Sequence, residues 1–408
     1  MIRELRKIWK SCFIGLLWFL ALLWPMTGIN SDGTLTFARP LEIWLIVVVA
    51  AVVIMLIYSA NKSGMLAPFT RPVQTAAGGL AGQAARLPIW VWLLVALGLA
   101  MFYPVIFTSR PAHDVAINVL IYISLGLGLN IVIGLAGMLD LGYIAFYGVG
   151  AYTYALLNVY LGFSFWTALP FAALFAAIAG CIIGYPTLRM RGDYLAIVTL
   201  AFGEIVRLIL NNWMELTNGP NGVLGIDRPT MLVPTFDDGF GFEVISLRKL
   251  YMLYYVALAL AVFTMLCVYR LNYSRIGRAW EAIREDETAA ELMGVNTFLL
   301  KLLAYAMGAV FAGLAGAFFA GRMKFVSPES FTFLESAMVL CMVVLGGMAS
   351  IPGIILGAAA LVLMQEWFRE FETYRMLVFG GCMVLMMLFR PAGLIPARRM
   401  GRRSEDDE

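Results

Sequence analysis

Apolar runs of roughly the length needed to cross a membrane follow one another along most of this chain. A helix needs about 20 predominantly apolar residues to span the hydrocarbon core of a bilayer. Candidate spans lie at residues 12–29, 41–59, 89–108, 115–137, 141–162, 165–185, 194–213, 250–270, 302–321, 333–349, 351–367 and 376–389. The pattern predicts an all-α polytopic membrane protein with about 10–12 transmembrane helices.

Two pairs of these runs, 115–137 with 141–162 and 333–349 with 351–367, have almost no connection between them. Each pair could be two full spans or could include a short re-entrant piece. Seven glycines lie between Leu125 and Tyr152, and a glycine costs about 1 kcal/mol relative to alanine inside a helix. We therefore expect glycine-broken segments here, which in transporters usually mark the transport pathway.

Small residues follow two adjacent rows of the 302–321 run, at a spacing of four. The rows are Gly308, Ala312, Gly316, Ala320 and Ala309, Gly313, Ala317, Gly321, and the 165–185 run has a similar row at Ala172, Ala176, Gly180, Gly184. Such faces let helix backbones approach closely in a membrane. They predict tight packing within one subunit, with a dimer face or a moving pathway wall as the alternative.

The composition agrees with a membrane protein, with 62% hydrophobic and 13% charged residues. A soluble domain has about 45–50% apolar and about 25% charged residues, so a soluble enzyme is nearly excluded. The net charge of only +3 argues against nucleic-acid binding. The single histidine, His113, leaves little room for a histidine-based metal site. No catalytic residues are expected, because the His113–Asp114 pair lies in an outer loop with no nucleophile nearby.

The distribution of basic residues gives an orientation. With the N-terminus inside, 19 lysines and arginines fall in inside segments and 9 in outside segments, while Arg207 lies within the membrane. This bias satisfies the positive-inside rule and predicts that both termini are cytoplasmic. The 12–29 run lacks a signal-peptidase site and is expected to be an uncleaved anchor. The long loop 214–249 then lies outside, and the long loop 271–300 lies inside.

Few charges fall within the predicted spans. Glu204 and Arg207 are three residues apart on one helix face and predict a local ion pair, which could serve only to fix its helix. Asp140 lies in the glycine-rich stretch without a basic neighbour. Asn130 and Thr199 are, with Asp140, candidate polar groups for contact with a zwitterionic substrate.

The inside loop contains a sequence typical of a short capped helix. The Asp286 carboxylate can accept from the free N–H groups of the next turn, and Gly294 suits the left-handed residue that ends a helix. Ala289, Leu292 and Met293 give this helix an apolar side suited to a partner's groove, although a solvated surface helix would have the same pattern. No GxxxxGK[ST] motif occurs in the chain, so any ATP-driven activity needs another subunit.

Four stretches together resemble the LivM family, membrane permease subunits of bacterial ABC importers for branched-chain amino acids. They are residues 128–137 running on through 141–152, residues 191–205, residues 216–222, and residues 281–294 followed by 302–316. The resemblance covers roughly residues 115–395. Two departures are visible: Ile283 replaces the second alanine of the family's EAA-type loop, and residues 138–143 differ from the Gln-x-Ser-x-Gly-His of the wider family, as they do in the LivM branch.

The resemblance implies a type II-like ABC importer permease core at residues 111–395. Residues 1–110 would form an N-terminal extension with about three transmembrane helices, residues 271–300 a cytoplasmic coupling loop, and residues 396–408 a disordered cytoplasmic tail. It also implies transport of leucine, isoleucine and valine across the bacterial inner membrane. The partners would be a second homologous permease, two ATP-binding subunits, a periplasmic amino-acid-binding protein and membrane lipid. ATP and magnesium would be used by the ATPases, with no cofactor on this chain.

Three groups of residues are the candidate sites. The coupling and periplasmic-loop groups lie in stretches that carry the resemblance, whereas the pathway group follows from the glycine-rich segment, the polar residues and the charges of the predicted spans. The coupling group for the ATPases is Glu281, Ala282, Arg284, Glu285, Asp286 and Gly294. The translocation-pathway group is Asn130, Gly134, Gly137, Asp140, Thr199, Glu204 and Arg207. The periplasmic-loop group is Thr217, Gly219, Pro220, Asn221 and Gly222. The alternative function is an ion-coupled secondary transporter of small apolar metabolites, in which Asp140, Glu204 and Arg207 would be the coupling groups.

Overall fold

The computed structural model describes residues 98–367 with gaps at 99, 108, 189, 191, 236–240 and 248, together with residues 380, 381, 384 and 393–395. The spans predicted at 12–29 and 41–59, most of those at 89–108 and 376–389, and the tail at 396–408 fall outside these residues. The total number of transmembrane helices and the division into an extension, a core and a tail therefore stay predictions.

The described part is built mainly from helices. In chain order they are α1 (Arg110–Asn130), α2 (Ile144–Leu161), α3 (Phe165–Thr187), α4 (Asp193–Asn212), α5 (Met214–Thr217), α6 (Leu250–Asn272), α7 (Arg275–Glu285), α8 (Glu287–Leu292), α9 (Thr297–Met323), α10 (Phe333–Gly346) and α11 (Ile351–Trp367). A π-helical segment, Ile131–Leu135, continues α1. Short 3-10 turns lie at Gly219–Asn221 and Pro328–Phe331.

Six of these helices are long and apolar enough to cross a membrane: α1 with its π-helical segment, α2, α3, α4, α6 and α9. They confirm the six corresponding spans expected from the sequence. The pair 115–137 and 141–162 thus forms two helices of spanning length. In the pair 333–349 and 351–367, α10 has only 14 residues, fewer than the about 20 that a full span needs, and α11 is described over 17 residues, up to Trp367.

Short strands lie in the 214–249 loop and beside it, which the sequence did not predict. Strands β2 (Thr230–Thr235) and β3 (Gly241–Ser246) form an antiparallel hairpin. Strands β1 (Val223–Leu224) and β4 (Phe325–Val326) pair over two residues only. The β1–β4 pair ties the loop after α4 to the end of α9, while the body of the described chain remains helical.

The rows of small residues pack inside this chain, with α9 at the centre of the bundle. A Cβ added at Gly316 would collide with the carbonyl oxygen of Tyr147 on α2. Gly313 meets Gly150 of α2 on one side and Ala176 of α3 on another. Since close backbone approach of this kind needs residues without a bulky side chain, the rows are confirmed as packing surfaces within one subunit.

Polar side chains join the C-terminal end of α9 and the N-terminal end of α10 to α1. Arg322 forms an ion pair with Asp114, at 3.0 Å, and donates a 2.5 Å hydrogen bond to the amide oxygen of Asn118. The Tyr122 hydroxyl donates to the Glu335 carboxylate at 2.7 Å. Glu335, a charge within a predicted span, is thus satisfied by a neighbouring helix.

Candidate functional site

The connection between α6 and α9 contains two helices, where the sequence predicted one. We call the end of the bundle at which this connection lies the loop end. Helix α7 begins at a cap, because the Ser274 hydroxyl accepts from the N–H of Gly277 at 3.1 Å. Its Trp280 side chain is fully buried, and the indole N–H donates to the Leu300 carbonyl at 2.7 Å. Helix α7 is therefore fastened to the start of α9.

Helix α8 begins as the sequence predicted. One carboxylate oxygen of Asp286 accepts from the N–H groups of Thr288, at 2.8 Å, and Ala289, at 3.0 Å. Asp286 itself has an extended backbone, with φ −154° and ψ 111°. This residue thus ends α7 and caps α8: the predicted helix is α8, and α7 before it was not predicted.

The end of α8 also follows the prediction. Gly294 has φ +85° and donates its N–H to the Glu291 carbonyl at 2.9 Å, while the Val295 N–H reaches the Ala290 carbonyl at 3.1 Å. These two bonds form a Schellman motif, in which a left-handed residue closes the helix. Both ends of this six-residue helix are therefore defined by hydrogen bonds.

An apolar tip on α8 stands clear of the protein. The side chains of Leu292 and Met293 are 83% and 84% exposed. Glu281, Ala282 and Glu285 are exposed on the adjoining α7. We call these five residues the α7–α8 surface; its combination of apolar and acidic side chains is suited to a protein partner. An ion pair of 2.6 Å between Glu287 and Lys301 fastens α8 to α9 behind it.

Arg284 does not share this exposed surface. Its guanidinium points into the bundle and donates to the carbonyl oxygen of Gly134 in the π-helical segment. Gly137, at φ +74°, makes room for the arginine, since a Cβ there would lie 2.8 Å from Arg284 Cγ. The structure therefore separates Arg284 from the other members of the predicted coupling group and joins it to two members of the predicted pathway group.

Asn130 joins the C-terminal end of α1 to the connection between α10 and α11. Its amide oxygen accepts from the N–H of Ala349 at 2.8 Å, in the connection between α10 and α11, where Ala349 has φ +66°. Gly134 leaves the space for this bond, because a Cβ there would lie 2.7 Å from the Ala349 nitrogen. The α1 break and the 347–350 connection are thus in direct contact at the loop end.

Residues 393–395 lie at the same place. The N–H of Leu394 donates to the Leu345 carbonyl at 2.8 Å, and the N–H of Ile395 donates to the Gly346 carbonyl at 3.1 Å. This segment therefore follows the end of α10, and the C-terminal part of the chain reaches the loop end.

Asp140 is buried in the connection between the spans formed by α1 and α2, at 1% exposure. It accepts from the Gly142 N–H at 2.9 Å, and the neighbouring Leu141 N–H donates to the Thr199 hydroxyl at 3.1 Å. Burial raises the pKa of Asp140 to about 6, against the lowering effect of hydrogen bonds from Gly142 and Thr199. Asp140 and Thr199, both predicted pathway residues, thus order a buried turn. This turn packs the connection between α1 and α2 against the second turn of α4.

Glu204 and Arg207 lie apart from that cluster, on the surface of α4. The predicted ion pair is confirmed, with Arg207 Nε 2.8 Å from Glu204 Oε2 and both side chains about one third exposed, at 30% and 32%. Large apolar side chains of α4 are also exposed, among them Ile197, Ile205 and Leu208. The pathway group is therefore divided between the loop end and an open face of α4.

The periplasmic-loop group forms an ordered turn at the far end of α4. The Thr217 hydroxyl donates to the Leu210 carbonyl at 2.6 Å, and the Asn218 amide donates to the Gly222 carbonyl at 3.0 Å. Gly219 and Gly222 both have positive φ. Pro220 and Asn221 complete the 3-10 turn between them. The group is thus well built, but it lies at the opposite end of α4 from the loop end.

Several residues of the site have no place in the sequence prediction. Trp280 could have been noticed as a large aromatic residue within a charged loop. Lys301, Leu300 and Ala349 carry no such signal, because their partners are distant in sequence or are backbone atoms. Within the residues that the structure describes, no group of three or more His, Cys, Asp or Glu side chains is placed to hold a metal ion.

Comparison with known proteins identifies related chains. The family described as "Branched-chain amino acid transport system / permease component" matches residues 112–387. The chain is 50% identical over 321 residues to the high-affinity branched-chain amino acid transport system permease protein LivM of Escherichia coli K12, which covers 76% of this chain and 75% of that protein.

More distant relatives belong to the same kind of system. The chain is 27% identical over 282 residues to the permease protein BraD of Pseudomonas aeruginosa, covering 67% of this chain and 91% of the relative. It is 24% identical over 295 residues to LivH of Escherichia coli K12, with the same two coverages. No solved structure matches the chain.

Proposed function

Because this chain belongs to the permease family of branched-chain amino acid transport systems, we propose that it is the transmembrane permease subunit of an ATP-driven importer for leucine, isoleucine and valine. The chain is a membrane permease with several apolar helices of spanning length. Its role is transport, with ATP hydrolysis assigned to two ATP-binding partner subunits that use ATP and magnesium. This chain itself binds no cofactor in the proposal.

The observation that carries the ATPase assignment is the α7–α8 surface. Leu292 and Met293 are more than four-fifths exposed on a helix whose two ends are fixed by hydrogen bonds. Exposure of such an apolar tip to water is unfavourable, and its burial in a partner's groove is favourable. The sequence has no phosphate-binding loop of its own, so the partner in that groove is proposed to be the ATPase.

A second permease is proposed to cover the open face of α4. LivM and LivH are both among the relatives, which fits an importer with two different permeases. A charge in the hydrocarbon core costs about 2.5–3.5 kcal/mol on insertion scales, so the Glu204–Arg207 pair is better placed against protein or water than against lipid. The substrate pathway is proposed to run along this face, between the two permeases.

The outer end of the bundle is the proposed docking area for the periplasmic binding protein. The turn of Thr217 to Gly222 and the β2–β3 hairpin both belong to the loop after α4. The opposite, loop end would face the cytoplasm of a bacterial inner membrane. Since residues 393–395 reach the loop end, a cytoplasmic C-terminus fits this orientation, and the positive-inside bias supports a cytoplasmic N-terminus.

Selection of the substrate is proposed to lie mainly with the binding protein. A hydrophobic pocket discriminates one methylene by only about 1–3 kcal/mol. A charge-poor pathway through this chain is therefore suited to leucine, isoleucine and valine alike.

The proposal is tested by purifying the tagged chain from solubilised membranes and identifying the proteins that accompany it by mass spectrometry. We expect a second permease and two ATPases. The double variant Leu292→Glu/Met293→Glu should lose the ATPases, because it places charges on the proposed docking surface. It should keep the second permease, because it changes only an exposed tip. Leu224→Glu, an exposed leucine at 66% in β1, is the matched control and should keep both.

A wild-type chain that purifies alone or only with copies of itself would contradict this function. It would favour the ion-coupled alternative, in which Asp140, Glu204 and Arg207 act as coupling groups. Retention of the ATPases by the Leu292/Met293 variant would remove the α7–α8 surface as their docking site.

A further inference from the structure

Arg284 comes from the connection that carries the α7–α8 surface, yet its side chain holds the backbone of a transmembrane helix. The guanidinium donates to the Gly134 carbonyl, 150 residues earlier in the chain. Gly134 lies in the π-helical segment Ile131–Leu135, which ends α1. One hydrogen bond thus joins a helix outside the spans to the end of a span.

The Gly134 carbonyl is available because the helix ends just after it, and the last four carbonyls of a helix have no partner within that helix. In a continuous α-helix the N–H of Met138 would donate to Gly134. Here that N–H donates to Val132 at 3.0 Å, which leaves the Gly134 carbonyl to Arg284. A charged donor makes a stronger bond than a neutral one, and π-helical turns are frequent at functional sites.

Two glycines shape the space around this bond. A Cβ at Gly137 would press on Arg284 Cγ at 2.8 Å, and a Cβ at Gly134 would press on the Ala349 nitrogen at 2.7 Å. With no side chain at Gly134, the Asn130 amide reaches Ala349. A continuous set of contacts therefore leads from α7 through the π-helical segment to the connection between α10 and α11.

We propose that Arg284 is a positioning residue that transmits movement of α7 to the π-helical segment and, through Asn130, to the 347–350 connection. The inference rests on the proposed function, because the movement comes from ATPases docked on the α7–α8 surface. Two further ties, from Trp280 to Leu300 and from Glu287 to Lys301, hold the same loop to α9. When α7 shifts, the Gly134 carbonyl follows the guanidinium, and the wide turn deforms where its regular hydrogen bonding is already interrupted.

The test uses the whole complex of permeases, ATPases and binding protein, reconstituted into lipid vesicles. Arg284→Met keeps most of the apolar stem and removes the donors. Arg278→Met is the matched control, because Arg278 is an exposed arginine on the same helix. For Arg284→Met we expect normal retention of the ATPases and continued ATP hydrolysis, with leucine uptake per ATP reduced about tenfold or more. The control should stay within about twofold of wild type on the same scale.

A second measurement does not depend on that variant's activity. Hydrogen exchange of residues 131–138 is compared between the nucleotide-free complex and the complex trapped with ATP and vanadate. Wild type should show a nucleotide-dependent change, and Arg284→Met should lose it. Arg284→Lys, which keeps the charge but not the planar fork of donors, should show a partial loss of both coupling and exchange response.

Three results would overturn the inference. Wild-type uptake by Arg284→Met would show that the bond transmits nothing. Loss of the ATPases from Arg284→Met, with their retention by Arg278→Met, would place Arg284 at the docking surface instead. A wild-type complex without any nucleotide-dependent change at residues 131–138 would exclude the π-helical segment as a moving part. Absence of ATPases from the wild-type complex is a different outcome, which contradicts the proposed function itself.

Discussion

Removal of the Asp286 cap should loosen α8 without unfolding the rest of the chain. The carboxylate accepts from two backbone N–H groups, those of Thr288 and Ala289. Replacement of such a cap by alanine costs about 0.5–2 kcal/mol, typically about 1. An acidic group at a helix N-terminus contributes about 0.3–1 kcal/mol through the helix dipole, part of the same effect.

The effect should be visible because α8 has only six residues. Helices shorter than about 12–15 residues are marginal alone in water, so α8 depends on its cap, its Schellman motif and the Glu287–Lys301 pair. A loss of about 1.4 kcal/mol changes a local opening equilibrium about tenfold. Asp286→Ala should therefore speed hydrogen exchange of the α8 amides by about five- to tenfold, with little change in α9.

Asp286→Asn is the matched control, because asparagine caps a helix about as well as aspartate. It should exchange close to the wild-type rate, with only the dipole contribution lost. Mass-spectrometric exchange on peptides covering residues 286–294 measures all three proteins. Unchanged exchange in Asp286→Ala would refute the capping account. Equal acceleration in the alanine and asparagine variants would show that the charge, and not the hydrogen bonds, holds α8.

Three further predictions concern the bundle. Gly316→Ala should lower the free energy of unfolding by about 1–3 kcal/mol, since the new Cβ meets the Tyr147 carbonyl. The control Gly98→Ala has open space around the new Cβ and should not lower it. Thermal unfolding in detergent compares the two variants. Thr199→Val leaves the Leu141 N–H without its acceptor and should cost about 1–3 kcal/mol, whereas Thr199→Ser should recover most of the loss in the same assay. The pKa of Asp140 is raised to about 6 in the folded chain, so the folded state binds this proton more tightly than the unfolded state does. The free energy of unfolding of the wild type should therefore fall by up to about 3 kcal/mol, relative to Asp140→Asn, as the pH rises from 4 to 6. Parallel pH profiles for the two proteins would contradict the raised pKa.

The features that were predictable from the sequence are those set by neighbouring residues. Six spans follow from local hydropathy, because a bilayer demands a continuous apolar run. The Asp286 cap, the left-handed Gly294 and the Glu204–Arg207 pair each depend on residues within one or two helical turns. Their geometry is fixed once the helix forms, so the sequence alone was sufficient.

The features that the sequence did not reveal depend on contacts between distant segments. Arg284 was expected beside Glu281 and Glu285, but its partner is a backbone carbonyl in another helix, which leaves no mark in the sequence. Asn130 reaches Ala349 across 219 residues for the same reason. The β1–β4 pair has only two residues on each side, too few to give an alternating pattern. The loop end was therefore assembled by tertiary packing that local patterns do not encode.

The source of energy for transport tests the central claim most directly. The tagged chain, purified with its partners, is reconstituted into vesicles with the binding protein, and leucine uptake is measured with ATP or with an ion gradient as the only source of energy. The account predicts uptake that requires ATP and the binding protein and continues when ion gradients are collapsed. Uptake by this chain alone, driven by an ion gradient without ATP, would contradict it.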